Sequence, residues 1–143
     1  MSQTYVPAPL RRLVKQRAGD CCEYCLVPQS AVFVGHEVDH IVAEKHRGET
    51  AEENLALCCA VCNKHKGSDL ASIDPELGKI VPLFHPRRDR WNEHFHLSIG
   101  RIEPLTSTGR VTVHLLQLNH PDRVCERTLM HDAGQIHVPA KSE

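Results

Sequence analysis

The chain has 143 residues, 41% of them apolar and 24% charged, and its 17 Lys plus Arg against 18 Asp plus Glu leave a net charge of −1. A chain of this length buries roughly 68% of its unfolded surface, so it can hold a core without disulfides, and the near-neutral total gives no sign of a polyanionic partner. No run of about 18 apolar residues occurs, and the start, MSQTYVPAPLRRLVKQ, lacks a signal-like apolar stretch, so neither a membrane span nor export is expected and the cytoplasm is the expected location. Seven Cys and eleven His stand out, and without an export signal that mixture points first to metal binding.

In chain order, Leu10, Leu13, Val14 and Ala18 recur at helical spacing with Arg11, Arg12, Lys15 and Arg17 between them. The spacing predicts a short basic helix over 9–18, closed by Gly19. A tight turn at Cys22-Glu-Tyr-Cys25 follows. The alternating segment His36 to Val42 predicts a strand, with Val38 and His40 on one face and Glu37, Asp39 and Ile41 on the other. Glu44 to Asn54 is polar, contains Gly48 and is expected to be a loop; Leu55 to Leu57 is a short second strand. Ala60 to Leu70 has helical character that Gly67 weakens.

Beyond Ala71, Asp74-Pro-Glu-Leu-Gly78 is a turn signal and Lys79 to Phe84 a strand candidate. Arg87 to Phe95 is expected as a short helix, 96–99 with 101–105 as a hairpin, and 110–118 and 123–130 as helices split by Asn119-His-Pro121. No internal repeat is visible. The expected organisation is a single domain over 1–143, with a tail from Asp132 that is expected to fray.

Cys22-x-x-Cys25 and Cys59-x-x-Cys62 are two knuckles with 33 residues between them. Structural zinc takes four soft ligands in a tetrahedron, and a pair two residues apart lets one turn present two thiolates to one ion. Cys21 and Cys58 precede the knuckles and could substitute, so the spacing favours Cys22 and Cys59 without excluding their neighbours. Buried small side chains or a thiol redox pair are the alternatives. The single Cys125 is expected to be packing.

Between and after the knuckles lie Glu37-Val-Asp39-His40-Ile41, then Asn54-Leu-Ala-Leu57, then Asn63-Lys-His-Lys66-Gly67. CxxC, DHI and NLxLxCxxCNxxKG in this order resemble the HNH endonuclease family over roughly residues 10–70. The resemblance implies an α+β fold: a small zinc-stapled ββα-metal core at 10–70 behind an N-terminal helix, with a hairpin and helix extension at 71–131 packed on it. It implies a metal-dependent endonuclease that hydrolyses DNA phosphodiester bonds. Asp39 and Asn63 would hold the catalytic ion, His40 would be the general base, and Asn54 would orient that base through the loop.

Phosphodiester hydrolysis needs an activated water, a Lewis acid and cationic neighbours, and His is the side chain suited to take a proton from water near neutral pH. The third motif letter is Asn63 rather than His, an oxygen donor, which favours Mg²⁺ or Mn²⁺ for catalysis beside structural Zn²⁺. Lys64 and Lys66 next to the site, and Arg87 and Arg88 in the segment Leu83 to Phe95, are candidate phosphate contacts. Trp91 and Phe95, four apart, are expected to pack rather than stack on a base. The alternative function is a zinc-stapled nucleic-acid-binding module without catalysis, which would have no need of Asp39, His40 and Asn63 together.

Overall fold

A computed structural model describes residues 5–140. The fold is α+β, as expected, with five α-helices and three antiparallel strand pairs among the described residues. The chain divides into two compact units, Met1–Ser68 and Asp69–Glu143. Among the described residues no helix is long and apolar enough to cross a membrane.

The first unit opens with helix α1 (Ala8–Ala18), which carries Pro in its first turn, where the missing N–H costs no hydrogen bond. It stops at Gly19, whose φ of 61° is left-handed and whose N–H returns to the Gln16 carbonyl. One stripe of α1 is buried: Val14 packs with Val6, Leu55 and Leu57, and Leu10, Ala18 and Val38 close the cluster's edge. Each such side chain stabilises by roughly 1.5–3 kcal/mol on burial.

Strands β1 (Glu37–His40) and β2 (Leu55–Cys58) pair antiparallel, with Val38 opposite Leu57, Asp39 opposite Ala56 and His40 opposite Leu55. Opposed residues share a face. Val38, His40, Leu55 and Leu57 therefore lie on one side of the hairpin, and Glu37, Asp39, Ala56 and Cys58 on the other. The strand expected over 36–42 is shorter because Asn54 intercepts it: the Ile41 N–H donates to the Asn54 carbonyl at 2.8 Å and the Val42 N–H to Asn54 Oδ1 at 2.9 Å. Helix α2 (Ala60–Lys66) likewise ends before the expected Leu70, since Gly67 turns to a φ of 52° and returns its N–H to the Asn63 carbonyl.

The second unit begins with strand β3 (Ala71–Ile73), which the sequence did not announce, paired with β4 (Ile80–Pro82). The helix expected over 87–95 is one turn, α3 (Trp91–His94), because residues 85–89 form a turn in which the His85 N–H donates to Asp89 Oδ2 at 2.9 Å. The expected hairpin is present as β5 (Phe95–Ser98) and β6 (Arg101–Pro104). Helix α4 (Ser107–Leu115) starts earlier than expected because Thr106 caps it, its hydroxyl accepting from the Gly109 N–H at 3.0 Å. Helix α5 (Pro121–Asp132) follows.

Trp91 and Phe95 are packing residues, as expected: both are buried, their rings 5.1 Å apart, and Phe84 meets Phe95 edge-on at 5.3 Å. Arg127 is also fully buried, its guanidinium donating to the carbonyls of Gly100 and Leu118. Of the tail expected to fray from Asp132, residues 133–140 follow α5 without regular structure, with the Pro139 carbonyl accepting from Asn92 Nδ2 at 2.7 Å, and 141–143 lie outside the described residues.

Candidate active site

The first knuckle is a tight turn whose Cys22 N–H donates to the Val27 carbonyl and whose Leu26 N–H returns to the Cys22 carbonyl, both at 2.9 Å. It is tied to β2 twice: the Glu23 N–H donates to the Leu57 carbonyl at 2.9 Å, and the Leu57 N–H to Glu23 Oε2 at 2.8 Å. The second knuckle is the start of α2, with Cys59 as its cap. These ties bring the sulfurs of Cys22, Cys25, Cys59 and Cys62 within 4.8 Å of one another, all buried, with Cys25 and Cys59 Sγ 3.6 Å apart.

A tetrahedral zinc with bonds of about 2.3 Å to sulfur sets its ligands roughly 3.8 Å apart, so the four cysteines fit it. The Cys25 N–H to Cys22 Sγ and the Cys62 N–H to Cys59 Sγ, at 3.5 and 3.4 Å, are the contacts that stabilise bound thiolates. Burial pushes the Cys22 and Cys62 thiols well up, and hydrogen bonds with Cys22 and Cys25 push Cys59 up. Four such sulfurs ionise together only around a cation. The four mutually close sulfurs are those of the expected set: Cys21 Sγ turns to the Gly19 carbonyl, and Cys58, buried on β2, hydrogen-bonds with Cys22 without joining the group of four.

The zinc-type cluster fixes α2 across the Glu37 and Asp39 face of β1. Helix positions three apart and strand positions two apart each share a face, and the two sets meet: Asn63 Nδ2 donates to Glu37 Oε2, and Lys66 Nζ lies 3.2 Å from Asp39 Oδ2. Asp39, Asn63 and Lys66 are 5%, 3% and 2% exposed. The lysine is thus not the solvent-facing phosphate contact its sequence position suggests. Its ammonium compensates the buried Asp39 carboxylate and also approaches the His40 carbonyl at 3.4 Å, which fits the rule that lysine is buried only when paired. Lys64 does face solvent.

His40 stands on the other face of β1 and is 1% exposed. Its Nε2 lies 2.8 Å from Thr50 Oγ1 in the long loop, while Nδ1 is buried with no partner among the described residues. Asn54 clamps that loop: Oδ1 accepts from the Val42 N–H, and Nδ2 donates to the Val42 carbonyl at 3.0 Å and the Glu49 carbonyl at 2.8 Å. Asn63 Oδ1 is likewise buried without a partner among the described residues. No direct hydrogen bond joins His40 to Asp39 or Asn63 among the described residues; Lys66 Nζ bridges the Asp39 carboxylate and the His40 carbonyl, and the His40 ring itself is linked to the other two only through the backbone. Arg87 and Arg88 sit in the 85–89 turn of the second unit, their N–H groups both 3.2 Å from His85 Nδ1.

The clamp requires glycine at position 48. A Cβ there would overlap the Val42 carbonyl oxygen and lie 2.9 Å from Asn54 Nδ2. Gly48→Ala is expected to break the clamp and destabilise the first unit by about 1–3 kcal/mol, the usual cost of overpacking; a urea melt of the variant against the parent measures it, and equal midpoints would show that the loop gives way freely.

Glu37, Thr50 and the Lys66 pairing are the site features that sequence reasoning did not assign. For Glu37 and Lys66 a signal existed: acids at strand spacing opposite amide and amine at helical spacing. For Thr50 there was none.

The fold and site thus define a small ββα unit stapled by a four-sulfur cluster of the zinc type. Residues 22–69, about a third of the chain, match the family model described as HNH endonuclease, and that match suggests nuclease-type activity in general. Searches of curated proteins and of solved structures returned no match.

Proposed function

We propose that the chain is a metal-dependent endonuclease acting on DNA, with zinc in the cysteine cluster. The observation that carries this reading is His40: one ring nitrogen is anchored by Thr50 and the other is buried with no partner among the described residues. If Nε2 donates its proton to Thr50 Oγ1, Nδ1 keeps the lone pair that a general base needs. Asn54 holds the loop that carries Thr50, so it orients the base at one remove.

Asp39 and Asn63 would hold the catalytic ion. The fit rests on the buried Asn63 Oδ1, an oxygen acceptor with no donor among the described residues, and on the Asp39 carboxylate, on the face of β1 that α2 lies across; these are hard donors of the kind Mg²⁺ and Mn²⁺ take. Such an ion, when bound, supplies Lewis acidity at the phosphate and the leaving oxygen. Lys64, exposed on α2, would contact phosphate in the first unit, and Arg87 and Arg88 are separate candidates for phosphate contact in the second. Supercoiled plasmid incubated with purified protein and Mg²⁺ or Mn²⁺ is expected to convert to open-circular and linear forms. Intact plasmid under both ions would refute the assignment.

Thr50→Val removes the anchor while keeping the shape. It is expected to lower the rate about 10- to 100-fold, by analogy with other partners that orient a functional imidazole, while Thr50→Ser retains most of it. Equal loss in both would mean the threonine only packs.

The Lys66–Asp39 pair favours a second reading, a zinc-stapled nucleic-acid-binding module, because the carboxylate is already neutralised without a divalent ion. That module would shift DNA in a gel at low salt and leave every phosphodiester intact with either ion.

A further inference from the structure

Asn63 presents two chemically different atoms on one planar amide, and only Oδ1 can serve a cation. Which end faces which way is decided by its neighbour. An ionised carboxylate accepts hydrogen bonds and cannot donate them, so the amide end turned to Glu37 Oε2 must be the NH₂ group, as found. Oδ1 is thereby turned away from Glu37, into a buried position where no described donor meets it. Asn63 is 3% exposed, and its helix is fixed by Cys59 and Cys62 one turn or less away, so the amide has little freedom except to flip about its last bond. A flip would place an NH₂ donor where the oxygen now stands.

We propose that Glu37 is the positioning residue that locks the Asn63 amide with its oxygen toward the catalytic ion. This rests on the reading of Asn63 as an ion ligand given above. Glu37 itself is exposed at the first position of β1, two residues from Asp39 and on the same face, so one strand supplies both a ligand and the lock for the ligand across from it. The lock explains how an asparagine can hold a position that a histidine commonly fills. An imidazole nitrogen is directed by its ring, whereas an amide needs an external acceptor to choose between its two ends.

The test is a double-mutant cycle read by Mn²⁺ titration of the zinc-loaded full chain, using calorimetry or the electron paramagnetic resonance signal of free Mn²⁺. Glu37→Ala is expected to weaken Mn²⁺ binding about 10- to 100-fold, with zinc still at one per chain. Glu37→Gln, which keeps an acceptor oxygen, should restore most of the affinity and serves if the alanine variant does not fold. In an Asn63→Asp background both side-chain ends are oxygens and no lock is needed, so adding Glu37→Ala should there cost less than about threefold, or improve binding by removing a facing carboxylate.

Parent-like affinity in Glu37→Ala would overturn the proposal. So would a loss of the same size in the Asn63→Asp background, since Glu37 would then be a ligand or a plain structural residue. Asp39→Ala and Asn63→Ala separate the two levels: if both keep parent affinity, the ion site itself is misplaced, whereas if both lose it and Glu37→Ala does not, only the lock fails.

Discussion

His40→Ala should lower DNA cleavage by about 10²–10⁴-fold, the range that a positioned general base contributes, while zinc content and the melting transition stay near those of the parent. The size follows from the surroundings of the ring. His40 is almost fully buried, it is held at Nε2 by Thr50, and it sits at the end of β1, where Asn54 takes over the backbone hydrogen bonds. No second described side chain is in place to do the same work at Nδ1. The fold, by contrast, has little need of it. The alanine would leave a cavity beside Leu55, its partner across the hairpin, but the α1 cluster and the four-cysteine cluster remain. His40→Gln gives a cleaner comparison because it fills more of the space. If either variant cuts as fast as the parent, His40 is not the base.

Removing the metal should have the larger effect on structure. Zinc in a four-thiolate site contributes on the order of 10–16 kcal/mol of apparent free energy, against a total stability of about 5–15 kcal/mol for an ordinary domain. The first unit has a small apolar cluster, three helical turns of α1 and two four-residue strands, so the knuckles carry much of its closure. A strong chelator under reducing conditions, or Cys62→Ala, is therefore expected to unfold residues 5–68, seen as loss of helical circular dichroism and a zinc count that falls from one per chain to none. An unchanged cooperative melt after the metal has gone would mean that the cysteines are buried thiols. Thiols that titrate freely and ignore the chelator would indicate redox chemistry instead.

Much of the site was legible because its signals are local. Two CxxC pairs announce a cluster by spacing, with Cys21 and Cys58 left open as substitutes, alternation places β1, and Gly19 marks the end of α1; Gly67 by itself signals only a weakening in a helix to Leu70, which in fact stops at Lys66. What the sequence did not show depends on elements meeting across space. Lys66 reads as one more surface cation until α2 is laid over β1, where Asp39 makes its burial tolerable. Thr50 is one polar residue in a polar loop, and only the clamp formed by Asn54 brings it to the imidazole. Strand β3 is three residues long and its neighbours carry no alternation, so pairing with β4 rather than propensity decides it.

The reciprocal bonds between Glu23 and Leu57 make a built-in reporter. The Leu57 amide belongs neither to the cysteine cluster nor to the residues proposed for catalysis, yet its hydrogen is held by a side chain from inside the first knuckle. In hydrogen-exchange measurements its protection should track occupancy of the cysteine site, collapsing in metal-depleted protein and returning on reloading. The state of the staple could thus be followed at a residue whose own chemistry the metal never touches.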